Sequence, residues 1–419
     1  MFRFILIPAL LIGTLHAQIF ADFTVSQGGN PLGTFTVTLA HEKAPRTCAN
    51  FIGLASGRRP WVDVKTSAVR TNTPYYNGLT FHRLIHSFVI QGGSPNGLGT
   101  DGPGYSILDE YDPTLRHSSQ YVLSMAKSSH PNTGGSQFFI TLRATPELND
   151  KHSVFGTVTS GTAIIDNFKN SLLFPTGSGD KPLANIVMDS VVIYGPDYNG
   201  FDINAAALRL PEVSNTNFTP VRNAATRDFR LVFDRRAKTD YLLRRSVDLA
   251  SWIGGGTLFS FDNSPALNYT FGVIESPMFF VNGATVRYDQ IPDSPPDLVT
   301  GEKTVRIRYT NGSKLALTLR STSSVWNYED SSGNRLGSGV LSNVQWIDAS
   351  PVSGFLNNNN PQAFRLPLGQ LIVSFDAAAG PEGLLSLNTW LSFHNGTSGW
   401  LEEISGNFPR RLPFEILSN

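Results

Sequence analysis

The run Phe81 to Gly93, FHRLIHSFVIQGG, sets one strong hydrogen-bond donor, Arg83, among apolar residues suited to lining a groove. A guanidinium is always charged and presents its N–H groups in a planar fork, so it suits a task in which a group must be held or stabilised by donation. The plainer reading is an arginine that pairs with a carboxylate at a strand end, and this segment by itself leaves both open. Its histidines suggest other chemistry. His82 and His86 are four apart, a spacing that offers two metal ligands on a helix but not on a strand-like segment, and no carboxylate or third histidine lies close by, so no metal is expected. His152 has the character of a general base, and Ser124, His152 and an aspartate would be parts of a hydrolase, but no nucleophile-elbow motif surrounds Ser124.

The elements that must position these residues are strands. Phe81 to Gly93 does not alternate cleanly and reads as a strand buried on both sides, bent near Ser87 and closed by the Gly92-Gly93 turn. Arg83, Val89 and Gln91 share parity and fall on one face of a continuous strand. Two further stretches carry the same kind of pattern: Leu123 to Ile140, LSMAKSSHPNTGGSQFFI, and Leu148 to Gly156, LNDKHSVFG. In this order and spacing the three blocks resemble the cyclophilin-type peptidyl-prolyl cis-trans isomerases, and the resemblance runs from about Asp22 to Tyr194.

That resemblance implies a closed antiparallel barrel capped by two helices, acting on the peptide bond before proline in polypeptide partners and using no cofactor. Rotation about that bond faces a barrier of roughly 18–20 kcal/mol because the nitrogen lone pair is delocalised into the carbonyl. No bond breaks. A catalyst needs a donor to the nitrogen as it pyramidalises and an apolar pocket that holds the ring. The resemblance gives Arg83 the first task and Phe88, Val89, Phe139 and Leu148 the second, with the ring of His152 completing the wall. It gives Gln91 and Gln137 the work of bonding substrate and holding Arg83, and it sets the residues before proline along the Ala126 and Lys127 backbone. Three departures are visible. Val89 replaces the commoner methionine, the loop between Lys127 and Pro131 is one residue longer than the familiar pattern, and Glu147 stands where many members carry a tryptophan that bonds cyclosporin, so weak binding of that inhibitor is expected. A second class of function stands beside catalysis, a protein that merely docks proline-containing segments while its later β regions set its role. The intact Arg83, Phe88, Gln91, Phe139 and His152 favour catalysis.

Composition bounds the rest. The 419 residues suffice for two to four domains. Arg3, the apolar run Phe4 to Leu15 and the small Ala17 have the layout of an export signal over residues 1–17, too short to span a bilayer, with cleavage after Ala17 expected and Ala21 as the alternative. An exported location is therefore expected, in the periplasm, at the cell surface or outside the cell, with no membrane span in the mature chain. Lys plus Arg (33) equals Asp plus Glu (33), which gives no basic field for nucleic acid or anionic lipid. The single cysteine, Cys48, sits at helical spacing from Phe51, Ile52 and Ala55 and reads as a packing thiol.

In chain order, Phe23 to Leu39 reads as two strands around Gly28-Gly29-Asn30-Pro31, and Ala44 to Ser56 as an amphipathic helix ended by Gly57. Arg58 to Thr73 reads as a polar surface insertion, Ala163 to Lys169 as a second helix and Ile186 to Tyr194 as a closing strand. Residues 22–194 form the first domain and 195–220 a linker with one apolar cluster, Ala205 to Leu210. Residues 221–289 show short strands at sandwich-like spacing with Trp252 as a candidate core aromatic. Residues 290–298 are a second linker, and 299–419 a further β domain whose clearest feature is a hairpin about Asn311-Gly312. No metal, nucleotide or nucleophile motif is found in either β region.

Overall fold

The computed structural model describes residues 18–128, 132–216, 218–222, 225, 229–233, 239–260, 267–271, 280–288, 302–309, 312–320, 323–347, 370–375, 388–393, 398–403 and 411–417. The expected signal (1–17), the second linker (290–298), loop residues 129–131 and Asn311 of the expected hairpin lie outside them. Among the described residues, no helix is long and apolar enough to cross a membrane.

The elements begin with β1 (Ile19–Gln27), β2 (Asn30–Leu39) and α1 (Pro45–Ser56), followed by a small hairpin of β3 (Trp61–Asp63) and β4 (Ala68–Arg70). Then come β5 (Thr80–Ile85), β6 (Val89–Gly92), β7 (Val122–Met125), β8 (Phe138–Thr141), β9 (Val154–Ser160), α2 (Thr162–Asn167) and β10 (Ile186–Tyr194). Eight of these strands close into an antiparallel barrel in the order β1-β10-β5-β6-β8-β7-β9-β2, as the resemblance implies. The barrel is filled by aromatic rings: Phe23 stacks on Phe35 at 4.9 Å, and Phe138 meets Phe51 edge-on at 5.9 Å, all four fully buried. Buried rings of this size supply much of the apolar area that holds such a core together.

Helix α1 starts at Pro45, whose missing N–H is no loss in a first turn, and it has no side-chain cap of its own. The Glu110 carboxylate stands in, accepting the N–H groups of Arg46 (3.2 Å) and Thr47 (2.9 Å). The helix stops at Gly57, where φ is 74° and an added Cβ would lie 2.8 Å from the Thr73 carbonyl carbon. Cys48 is fully buried on this helix, its Sγ donating to Phe155 O at 3.4 Å, and burial pushes its thiol well up from the ordinary value.

Two segments that the sequence presents as surface are packed. Within the 58–73 insertion, Val62 and Val64 are buried, and Trp61 sits edge-on to Tyr75 at 5.0 Å while its Nε1 donates to Thr73 O at 3.0 Å. After β10 the chain straps across the barrel: Asp197 pairs with His41 at 3.3 Å, Ile203 is fully buried, Arg46 Nε donates to Leu208 O at 2.7 Å, and Arg59 donates to Pro211 O at 2.6 Å. The Ala205 to Leu210 cluster thus finds its partner on α1, and the connector is held down.

The strap leads into β11 (Glu212–Asn215), β12 (Thr219–Arg222), β13 (Phe229–Phe233), β14 (Thr239–Ser246), β15 (Ile253–Ser260), β16 (Leu267–Phe271) and β17 (Phe280–Arg287). They form two sheets, β11-β17-β14-β15 and β12-β13-β16. Val213, Leu242, Ala284, Val286 and Tyr288 bury themselves in the same apolar cluster as the barrel's own core, and Arg244 Nε reaches Val64 O at 3.3 Å. The 58–73 insertion is therefore the seat of this region. Trp252 is not a core residue. It is half-exposed and its Nε1 donates to Leu249 O at 3.1 Å, because it lies in the bend before β15.

Last come β18 (Lys303–Arg308), β19 (Lys314–Leu319), β20 (Val325–Glu329), β21 (Arg335–Ile347), β22 (Gln370–Phe375), β23 (Asn388–Phe393), β24 (Ser398–Glu403) and β25 (Arg411–Leu417), which close a second barrel in strictly sequential order. The β18–β19 hairpin is the one read from sequence: Arg308 pairs with Lys314, Gly312 turns at φ 84°, and Val305, Ile307, Leu315, Leu317 and Leu319 are buried in alternation.

Candidate active site

The FHRLIHSFVIQGG segment is a hairpin, not one bent strand. β5 and β6 run antiparallel with Arg83 opposite Gln91 and Ile85 opposite Val89, and Phe88 N donates to Ile85 O at 2.8 Å across the turn. The turn has no glycine, proline or asparagine to announce it, and for that reason the sequence reads as continuous. Directly opposed residues share a face, so Arg83 and Gln91 remain together.

Outside the barrel's main core lies a second buried apolar cluster of Val89, Ala126, Phe139 and Leu148, with Phe88 packed on its edge. β6, β8, the end of β7 and the 3-10 turn Pro146–Leu148 each bring one part. His152 closes a side: its ring meets Phe139 edge-on at 5.3 Å and its Nδ1 lies 3.0 Å from Met125 O, which can only accept, so Nδ1 carries the hydrogen. Burial first, and the nearby Lys127 charge second, lower its pKa to about 4, so the ring is neutral.

Phe139 is held from its other side by a residue that sequence reasoning missed. His117 stacks on it at 5.9 Å, with Nδ1 on Asn149 Oδ1 (3.2 Å) and Nε2 accepting from Ser124 Oγ (2.9 Å). Burial lowers His117 to about 4 as well. Ser124 is fully buried and committed to His117, so it is no nucleophile for His152.

Along the groove, Gln91 Nε2 donates to Gln137 Oε1 (3.0 Å), and Gln137 Nε2 donates to the carbonyls of Gly99 (3.0 Å) and Asp101 (2.9 Å). These amides, with Ala126, Lys127 and Gly135, line a cavity of about 140 Å³ next to the apolar cluster. Lys127 turns its Nζ inward to Asp109 Oδ2 at 3.5 Å, both side chains 4% exposed.

Arg83 meets both readings of its chemistry. It stands on the groove face beside Gln91, and its Nε donates to Asp180 Oδ2 at 3.2 Å. The resemblance gave the two glutamines the work of holding Arg83. The structure places Asp180 on it, while Gln91 bonds Gln137. His82, next to Arg83, is buried and held neutral by burial, its pKa lowered to about 4, whereas His86 bonds Phe174 O at 2.8 Å. Among the described residues, no group of three His, Cys, Asp or Glu is placed to hold a metal. At the rim, Glu147 accepts from Arg143 at 3.0 Å, and the Arg143 guanidinium lies over the Phe88 ring at 5.4 Å.

A family model described as cyclophilin type peptidyl-prolyl cis-trans isomerase/CLD matches residues 20–193. The probable peptidyl-prolyl cis-trans isomerase A of Mycobacterium leprae is 40% identical over 163 residues, which cover 38% of this chain and 87% of that protein. The chain belongs to the cyclophilin-type peptidyl-prolyl cis-trans isomerases. Peptidyl-prolyl cis-trans isomerase B of Streptomyces anulatus is 41% identical over 163 residues, covering 91% of its length. A crystal structure of a Cryptosporidium parvum cyclophilin type isomerase, determined in the presence of the dipeptide Ala-Pro, aligns at 30% identity over 42% of this chain and 99% of its own, with a TM-score of 0.35. The cyclophilin match spans β1 to β10, the barrel that carries the cluster just described, and its activity class is isomerisation of peptidyl-prolyl bonds.

Proposed function

We propose that the protein is exported and assists folding of polypeptides by rotating X-Pro bonds at this site. The observation that carries the reading is the second apolar cluster, set apart from the barrel core and flanked by Arg83 and Gln91 on one face. A proline ring seated against Phe139, Val89, Leu148 and Phe88 is held by burial while the preceding carbonyl swings. Residues before proline run over the Ala126 and Lys127 backbone. As the amide twists, its nitrogen regains a lone pair, and an Arg83 N–H donates to it. The guanidinium carries five N–H groups, so the single bond to Asp180 leaves donors for this task. His152 acts by shape, since its neutral ring moves no proton.

Export is supported by the signal layout and by where β1 begins. Ile19 and Ala21 are fully buried, so cleavage after Ala17 leaves the barrel whole, whereas cleavage after Ala21 would strip both from the core. Inhibition by cyclosporin is expected to be weak, because the Glu147 carboxylate offers neither the donor nor the flat apolar area of a tryptophan. The test is protein from the exported fraction, sequenced at its N-terminus and assayed on a proline tetrapeptide. It should begin at Gln18 and accelerate isomerisation. A chain that keeps Met1 in the cytosol contradicts export, and an inert exported chain leaves the docking reading.

A further inference from the structure

The guanidinium at the centre of the proposed mechanism has a neighbour that belongs to none of the three sequence blocks. Asp180 ends the 3-10 turn Ser178–Asp180, which packs against β5, and its Oδ2 accepts from Arg83 Nε at 3.2 Å. Both side chains stay open to solvent, 41% and 44% exposed. An exposed pair of this kind exchanges partners readily, so the carboxylate is available to a passing ligand.

The sheet order fixes which part of a bound peptide passes it. Neighbouring strands run β7, β8, β6, β5, carrying in turn the chain into Ala126, then Phe139, then Val89 with Gln91, then Arg83. Asp180 lies beyond Arg83, at the end of this row opposite Ala126 and Lys127. If the residues before proline lie along Ala126 and Lys127 and the ring sits on Phe139, the residues after proline must leave past Arg83 and Asp180. A side chain there meets the carboxylate before it meets open solvent. Lys181, the next charge in sequence, is exposed as well, and its own effect is separated by substitution.

We propose that Asp180 is a specificity-determining residue that favours a cationic side chain just after proline and disfavours an acidic one. This rests on the isomerase reading of the same site. The experiment compares Ala-Ala-Pro-Lys, Ala-Ala-Pro-Phe and Ala-Ala-Pro-Glu peptides on the mature chain, measuring kcat/KM and, by titration, peptide affinity. The lysine peptide should exceed the glutamate peptide by roughly three- to tenfold, and the ratio should shrink at high salt. Asp180→Asn leaves the Arg83 charge unbalanced and should bring the ratio to one or below, Asp180→Lys should invert it, and Lys181→Ala should keep the parent ratio. Turnover of the phenylalanine peptide by the parent reports the isomerase reading independently. If it is absent, the same ratio is read from the affinities. A ratio unchanged in Asp180→Asn, or an equal loss on all three peptides, overturns the proposal, the latter because it would mean that Asp180 only positions Arg83.

Discussion

The described residues form two closed eight-stranded antiparallel barrels, and their topologies differ in the respect that matters for chemistry. The C-terminal barrel runs β18 to β25 in order, each strand beside the next, so its connections join nearest neighbours. The N-terminal barrel is out of order, β1-β10-β5-β6-β8-β7-β9-β2, and its long connections must cross from one part of the wall to another. The β8–β9 connection, which passes over β7, delivers Leu148 and His152 to the face where β5, β6 and β8 present Arg83, Gln91 and Phe139, and Ala126 follows directly on β7. Leu148 and His152, distant in sequence from Arg83, thus reach the groove where the chain crosses over a strand.

The largest effect should come from the buried pair behind the groove. Asp109→Ala leaves the Lys127 ammonium buried beside a lost carboxylate, which should cost about 3–5 kcal/mol of stability. Denaturant unfolding checks this, and a loss under 1 kcal/mol would show that Lys127 escapes to solvent. Next is the strap, the segment that ties the site-bearing barrel to the β11–β17 sheets. A fragment ending at Gly195 should be folded and active but less stable than one ending at Pro211, by about 3 kcal/mol, since Ile203 and Leu208 lose their burial against the barrel. Equal stability of the two fragments would show that the strap contributes nothing.

Acid provides a third probe. His82, His117 and His152 are each lowered to about 4 from 6.5, chiefly by burial, so the unfolded chain takes up their protons first as pH falls. Their contribution to stability is complete above 6.5, is lost between 6.5 and about 4, and changes no further below that. The slope should reach up to about 1.4 kcal/mol per pH unit for each histidine, and turnover at about pH 6 to 8 should stay flat because no proton moves. Denaturation curves at several pH values would contradict this by showing no slope. The smallest effect is at the rim, where Glu147→Trp should tighten cyclosporin binding while turnover shifts by roughly 1 kcal/mol or less, the exposed Arg143 partner being worth little. A variant that binds the inhibitor no better would show that the rim is misaligned.

Much of this was legible in the sequence, and what was not has a common cause. Arg83, Gln91, Phe139, Leu148 and His152 are marked by short blocks, and alternation on either side of Asn311-Gly312 found the Val305 to Leu319 hairpin. The β5–β6 turn was hidden because His86-Ser87-Phe88 offers only Ser87 as a turn former, which reads as a bend within one strand. Val62 and Val64 were hidden within a polar insertion, since the surface they cover is supplied by residues far along the chain. Trp252 misled because size suggests burial, whereas its position in a bend decides. Asp180 lies 97 residues from Arg83 in a Gly-Ser-Gly-Asp turn, and nothing local couples the two. His117 likewise gains its role only when β7 and β8 bring Ser124 and Phe139 to it.

The central claim is that Arg83 acts on the twisted amide more than on the bound peptide. It is tested most directly by Arg83→Ala, with isomerisation of a neutral proline tetrapeptide and its affinity measured side by side. A charged hydrogen bond made in the transition state is worth about 1.5–3 kcal/mol, so kcat/KM should fall by roughly one to two decades while affinity changes only a few-fold. Wild-type turnover in this variant, or equal losses of turnover and affinity, would contradict the account.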